Sequence, residues 1–287
     1  MGIQQIIIPE KHDLGGFSVQ RSLPQPDRNM VGPFIFFDHL GPAVFPPGKG
    51  VDVRPHPHIN LATVTFLFEG SLLHRDSLGV VQEILPGEVN WMTAGKGVVH
   101  SERSPDDFRE KESTLHAIQT WVALPESAEE TAPDFSHYAE ADLPKWTTHG
   151  TTATLIAGKF QDYASPVQTY SPTLYLALTL TPESQFHIPP QAAQELAIYT
   201  VSTELCINGE PVEQHRLIVL DSEVATEISA AEDARCMVVG VEARWKRGKY
   251  WNFVSSRPER IETAKEDWKN QQFPTVPGET EFIPLPD

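Results

Sequence analysis

Two histidines one residue apart, His56 and His58, and a histidine and glutamate with the same spacing, His100 and Glu102, are the residues of this chain best suited to gather a metal ion. Residues two apart on a β-strand point to one face, so each pair can aim both donors at a single point. Three imidazoles and one carboxylate make a mixed nitrogen and oxygen set. Such a set suits Fe(II), Mn(II), Zn(II), Ni(II), Cu(II) or Co(II), and its imidazoles disfavour Ca(II). The lack of thiolates argues against a closed structural zinc site. For a six-coordinate metal, four protein ligands leave two positions open, room for a substrate oxygen and a second molecule such as O2.

The elements that must position these residues are strands. His56 and His58 lead into Leu61 to Phe68 (LATVTFLF), and His100 and Glu102 follow Val89 to Met92 across a turn-rich block. Similar runs rich in Val, Ile, Leu, Phe and Thr recur at Ile118 to Leu124, Thr152 to Ala157, Leu174 to Leu180, Leu196 to Val201, Leu217 to Leu220 and Met237 to Glu242. The 25 prolines and 18 glycines punctuate them, which is the texture of an all-β barrel or sandwich. Counting by twos from His58 places Asn60, Ala62, Val64, Phe66 and Phe68 on the ligand face of an unbulged strand. Phe34, Phe36, Trp91 and Met92 can line a pocket for a flat aromatic substrate, and core packing explains them equally. Pro125 to Pro144, rich in Glu, Ala, Asp and Pro, reads as a linker. Ser256 before Arg257 and Pro258 reads as the N-cap of a single C-terminal helix. No repeat relates the two halves.

Length and composition narrow the function. The chain has 287 residues, enough for two domains, and its 40% hydrophobic content allows buried cores. With 22 Lys+Arg against 39 Asp+Glu the net charge is −17, which disfavours direct contact with nucleic acid or anionic membranes. No apolar run approaches a membrane span, and the start, MGIQQIIIPEKHDLGGF, lacks the features of a secretory signal, so a cytoplasmic protein is expected. Cys206 and Cys236 lack C-x-x-C spacing and read as two buried thiols.

The motifs FIFFDHLGP, HPHINLATVTFLFEG, PGEVNWMTAGKGVVHSER and LHAIQTWVALP, in this order, resemble the pirin family of the cupin superfamily, including its quercetinase-like bacterial members. RWKRGKYWNFVSSRPERI extends the resemblance towards the C-terminus. The resemblance implies a bicupin, two jelly-roll β-barrels with a C-terminal helix, divided as residues 1–135 with the metal site and 136–287 without one. It implies one iron held by His56, His58, His100 and Glu102. The implied activity is dioxygenation of a flavonol such as quercetin with O2, ring opening and loss of carbon monoxide, with Glu102 taking the substrate proton. The family also contains iron-dependent co-regulators, so a redox-responsive regulator acting through a protein partner is the alternative. A monomer is expected. The sequence departs from the general cupin pattern where Ala62 and Thr63 replace the usual Glu ligand and Thr93 replaces a proline; both departures are of the pirin type.

Several further polar residues each admit two readings. Asp38 and His39 can support a ligand or cap a turn. His74 and Asp76 share strand parity and can line the pocket mouth or form a cross-strand contact. His116 reads as a satisfied barrel histidine, and His187 and His215 as solvated ones.

Overall fold

A computed structural model describes residues 2–14, 16–241 and 247–286. The chain is mostly strand and packs as two compact units, each drawing on both halves of the sequence. One combines the described residues of 1–11, 20–37 and 141–244; the other combines those of 12–19, 38–140 and 245–287. The 135/136 division expected above follows the linear chain, whereas the packing gathers the C-terminal segment with the residues that precede 140.

In the first unit a seven-stranded antiparallel sheet runs in the order Ile3–Ile7, Leu217–Leu220, Glu195–Ser202, Ala234–Val241, Thr173–Leu180, Thr151–Ala157, Lys145–Thr148. A four-stranded sheet (Gln185–Ile188, Thr226–Ser229, Leu205–Ile207, Glu210–Val212) faces it. Leu155, Leu176, Ile198 and Val238 of the large sheet and Phe186, Ile207 and Ile228 of the small one share one core. Consecutive residues of Thr173–Leu180, Glu195–Ser202 and Ala234–Val241 are buried, so both faces of these strands are covered and they read as nearly continuous apolar runs.

In the second unit the large sheet places Asp134–Tyr138, Val89–Thr93, Leu61–Glu69, Ser113–Ala123 and residues 38–45 of the strand Phe34–Phe45 side by side. The small sheet has the order Asp52–His58, Val98–Arg103, Leu72–Asp76, Val81–Ile84. Leu67, Leu115 and Ala117 from the large sheet meet Leu72 and Ile84 from the small one in the core. Gly70 makes the turn between Leu61–Glu69 and Leu72–Asp76 at φ +85°, and a Cβ there would stand 2.4 Å from the Thr114 carbonyl oxygen. Only glycine fits that approach.

The C-terminal helix spans Pro258–Lys269, with proline in its first turn as expected. Its N-cap is Arg257, not Ser256, because the Ser256 hydroxyl donates instead to buried Glu129 at 2.9 Å. Beyond the helix the chain braces the second unit: Glu279 accepts from Ser101 Oγ (2.7 Å) and from Arg103 Nε and Nη2 (2.8 and 2.7 Å), and the Ile283 N–H donates to the Pro55 carbonyl (2.8 Å). The stretch read as a linker is also structured. Asp134–Tyr138 pairs antiparallel with Val89–Thr93, and Glu129 is buried against Arg247, Ser255 and Ser256. Its polar composition hid an edge strand with only half-buried side chains. The strand expected to reach Glu242 is seen as Ala234–Val241, and Glu242 itself lies outside the described residues.

Candidate metal centre

The two histidine-bearing strands, Asp52–His58 and Val98–Arg103, are antiparallel neighbours that place His56 opposite His100 and His58 opposite Val98. The register shifts between His100 and Glu102, so that Arg54 and Pro55 together face Ser101. This is a β-bulge, a position where proline, lacking an N–H, costs the ladder nothing. His56, His58 and His100 each offer a ligand atom, and these atoms lie within 4.8 Å of one another. The Nε2 atoms of His58 and His100 are 3.1 Å apart, and the His56 and His100 ring centroids 4.4 Å apart. All three rings are buried.

The electrostatics keep these nitrogens available. Burial holds His58 and His100 well below the ordinary histidine pKa, reinforced by the neighbouring His56 in both cases and by Lys249 for His58. Burial also lowers His56, against the opposing effects of its hydrogen bond to the Arg54 carbonyl and the charge of Glu102. The His56 Nδ1–H donates to the Arg54 carbonyl (2.9 Å), which leaves the lone pair on Nε2. His58 Nδ1 is buried without a hydrogen-bond partner among the described residues. Three buried imidazoles with converging nitrogens, each favoured in the neutral form by burial, are a donor set that fits a divalent transition metal.

Glu102 is buried on the same strand, outside that three-histidine set. Gln119 Nε2 donates to both of its carboxylate oxygens (2.8 Å each) and Thr65 Oγ1 to one (3.3 Å). Thr65 and Gln119 are cross-strand partners. The face of Leu61–Glu69 directed at the site therefore carries Thr63 and Thr65, not the Ala62, Val64 and Phe66 expected from counting by twos. Asn60 breaks the count: it sits at φ 59°, in the left-handed region, and turns the chain between the two strands.

Gln119 was not legible as a site residue, and neither was Trp121. The Trp121 ring stands edge-on to His58 (4.9 Å between centroids), and Lys249 Nζ lies 5.0 Å from the Trp121 ring centroid. Phe34 and Phe36 are not brought to this centre, for Phe34 packs on Tyr175 and Phe36 lies under the Arg21 guanidinium. Trp91 and Met92 are buried in the sheet. Asp38 is buried, and His39 pairs with His116 (Nε2 to Nε2, 2.7 Å) rather than with a ligand. His74 and Asp76, by contrast, reach the site, with His74 Nδ1 3.4 Å from His100 Nδ1. His187 is exposed; His215 is half-buried and bonded to Gln20 (2.9 Å), so only the first is a solvated histidine. Among the described residues no second histidine cluster forms.

Two strand-built barrels, one carrying converging histidines on adjacent strands, define a two-domain cupin protein. The comparisons agree: residues 16–122 match the pirin model and residues 175–274 the pirin C-terminal cupin domain. The chain belongs to the pirin family. It is 42% identical over 290 residues to a pirin-like protein of Caulobacter vibrioides, covering 99% of this chain and all of that one. It is 30% identical to mouse pirin over 273 residues, covering 92% and 91%. A crystal structure of a quercetin 2,3-dioxygenase from Acinetobacter baumannii superposes with a TM-score of 0.91 at 33% identity, covering 99% of this chain and 95% of that one.

Proposed function

We propose that this protein is a metal-dependent dioxygenase that opens a flavonol such as quercetin with O2 and releases carbon monoxide, and that iron is its metal. His56, His58 and His100 would hold the ion, with Glu102 as the fourth ligand. The bound metal supplies Lewis acidity and a redox partner for O2. The observation that carries the reading is the pairing of three buried neutral imidazoles with a carboxylate fixed beside them by Gln119 and Thr65; the likeness to a quercetin 2,3-dioxygenase supports it.

The residues divide the work. Glu102 accepts the proton of the substrate hydroxyl at a carboxylate oxygen. Gln119 spends its amide N–H groups on Glu102, which fixes where the proton acceptor's carboxylate oxygens lie. Trp121 presents its ring beside His58 as a wall for a planar substrate, and the exposed Lys249 ammonium next to it supplies a positive charge for the oxyanion that results.

Anaerobic reconstitution with Fe(II), followed by oxygen uptake and carbon monoxide release with quercetin, tests the proposal. Turnover in the wild type and none in His56→Ala is expected. Tight iron binding with no turnover would overturn the enzymatic reading and direct attention to a protein partner.

A further inference from the structure

His74 and Asp76 lie on the strand beside the one that carries His100, and His100 is the cross-strand partner of Asp76. His74 Nε2 is 3.0 Å from Asp76 Oδ2, a carboxylate that is fully buried. The other oxygen, Oδ1, accepts the backbone N–H groups of Leu78 (2.8 Å) and Val80 (3.1 Å). On its far side His74 meets His100 Nδ1 to Nδ1 at 3.4 Å, and its ring stacks on Phe135 at 4.3 Å. His74 is outside the set of converging ligand atoms, and its hydrogen-bond contact with that set is to His100.

Hydrogen-bond polarity gives this chain of contacts one direction. An ionised carboxylate only accepts, so His74 must place its proton on Nε2. In the neutral ring Nδ1 then carries a lone pair and can only accept, which draws the His100 proton to Nδ1 and leaves the His100 Nε2 lone pair towards His58 Nε2. We infer that Asp76 and His74 are positioning residues that set the tautomer of His100 through two successive imidazoles and so prepare it as a ligand. Partners of this kind are a general means of orienting metal-bound histidines, and their loss costs roughly 10- to 100-fold in affinity. The inference rests on His100 being a metal ligand, as proposed above.

The sharpest test is Asp76→Asn, which is nearly isosteric. An amide can donate to His74 Nε2; that moves the His74 proton to Nδ1, and His100 must then protonate Nε2, the ligand atom. Fe(II) affinity measured anaerobically by chelator competition, the visible spectrum of the Co(II) form and the thermal midpoint of the metal-free protein are the readouts. We expect Asp76→Asn to weaken Fe(II) binding by about 10- to 100-fold and to alter the Co(II) spectrum, with the metal-free midpoint kept. His74→Phe, which retains the stack on Phe135 but imposes no wrong tautomer, is expected to weaken binding less. A packing role predicts the reverse order, since the larger change in shape is at His74. Wild-type affinity and spectrum in Asp76→Asn, or a greater loss in His74→Phe, would overturn the inference. His100→Ala separates the two levels: if it binds Fe(II) like the wild type, the metal-centre reading fails, whereas its failure to bind beside an unaffected Asp76→Asn sinks only the tautomer relay.

Discussion

At the scale of single residues the site is a contrast between histidines stripped of water and a carboxylate supplied with donors. The histidines hold fewer protons folded than unfolded once the pH falls below their ordinary value of 6.5. Their contribution to stability is therefore complete above that value and declines as the pH falls towards their depressed folded values. Each adds a slope of up to about 1.4 kcal/mol per pH unit in that window. Denaturant titration of the metal-free protein should show a clear loss between pH 7 and 5.5, and His58→Phe should flatten it. For Glu102→Gln with metal still bound, quercetin turnover should fall by about 10²- to 10⁴-fold; full turnover would remove Glu102 as the proton acceptor. Lys249→Met should raise KM about two- to fivefold with kcat kept, the size expected of an exposed charge. The convergence of His56, His58 and His100 was legible because spacing by two survives without knowledge of the fold. Gln119, Trp121 and Lys249 were not, because they arrive from other strands, and a single left-handed Asn60 was enough to invert the predicted face of Leu61–Glu69.

At the scale of elements the converging histidines depend on a bulged strand pair, tight hairpins and an outer brace. Gly70→Ala should destabilise the protein by about 1 to 3 kcal/mol, the usual cost of forcing a left-handed position, and the 2.4 Å approach to Thr114 places it towards the upper end. Equilibrium unfolding measures it. The strands rich in β-branched and aromatic residues were readable as such, and so was the helix, because proline in its first turn and an uninterrupted polar stretch mark it. Asp134–Tyr138 was not: an edge strand needs neither an apolar run nor a strict alternation, and its register comes from Val89–Thr93 alone.

At the scale of the molecule, two barrels share a strand plan while, among the described residues, only one gathers histidines, an asymmetry visible in the absence of any H-x-H pair from the second half of the sequence. Metal should protect the backbone unevenly. Hydrogen exchange with and without Fe(II) is expected to slow in Asp52–His58, Val98–Arg103 and Ser113–Ala123 and to stay unchanged in Thr173–Leu180; equal protection of both sets would count against a single centre. No described helix is long and apolar enough to cross a membrane. What spacing could not show is that the packing joins the described residues of 247–286 to 38–140, since tertiary partners this distant leave no local pattern.

The clasp of Glu279 on Ser101 and Arg103 also has a meaning in time. Glu279 follows Arg103 by 176 positions, which at about 5 to 20 residues per second is roughly 9 to 35 s of synthesis. Throughout that interval His100 and Glu102 have left the ribosome's active centre on a strand whose outer anchor has not been made. A chain arrested before residue 279 presents His100 and Glu102 without the clasp, so the brace exists only once Glu279 has been added.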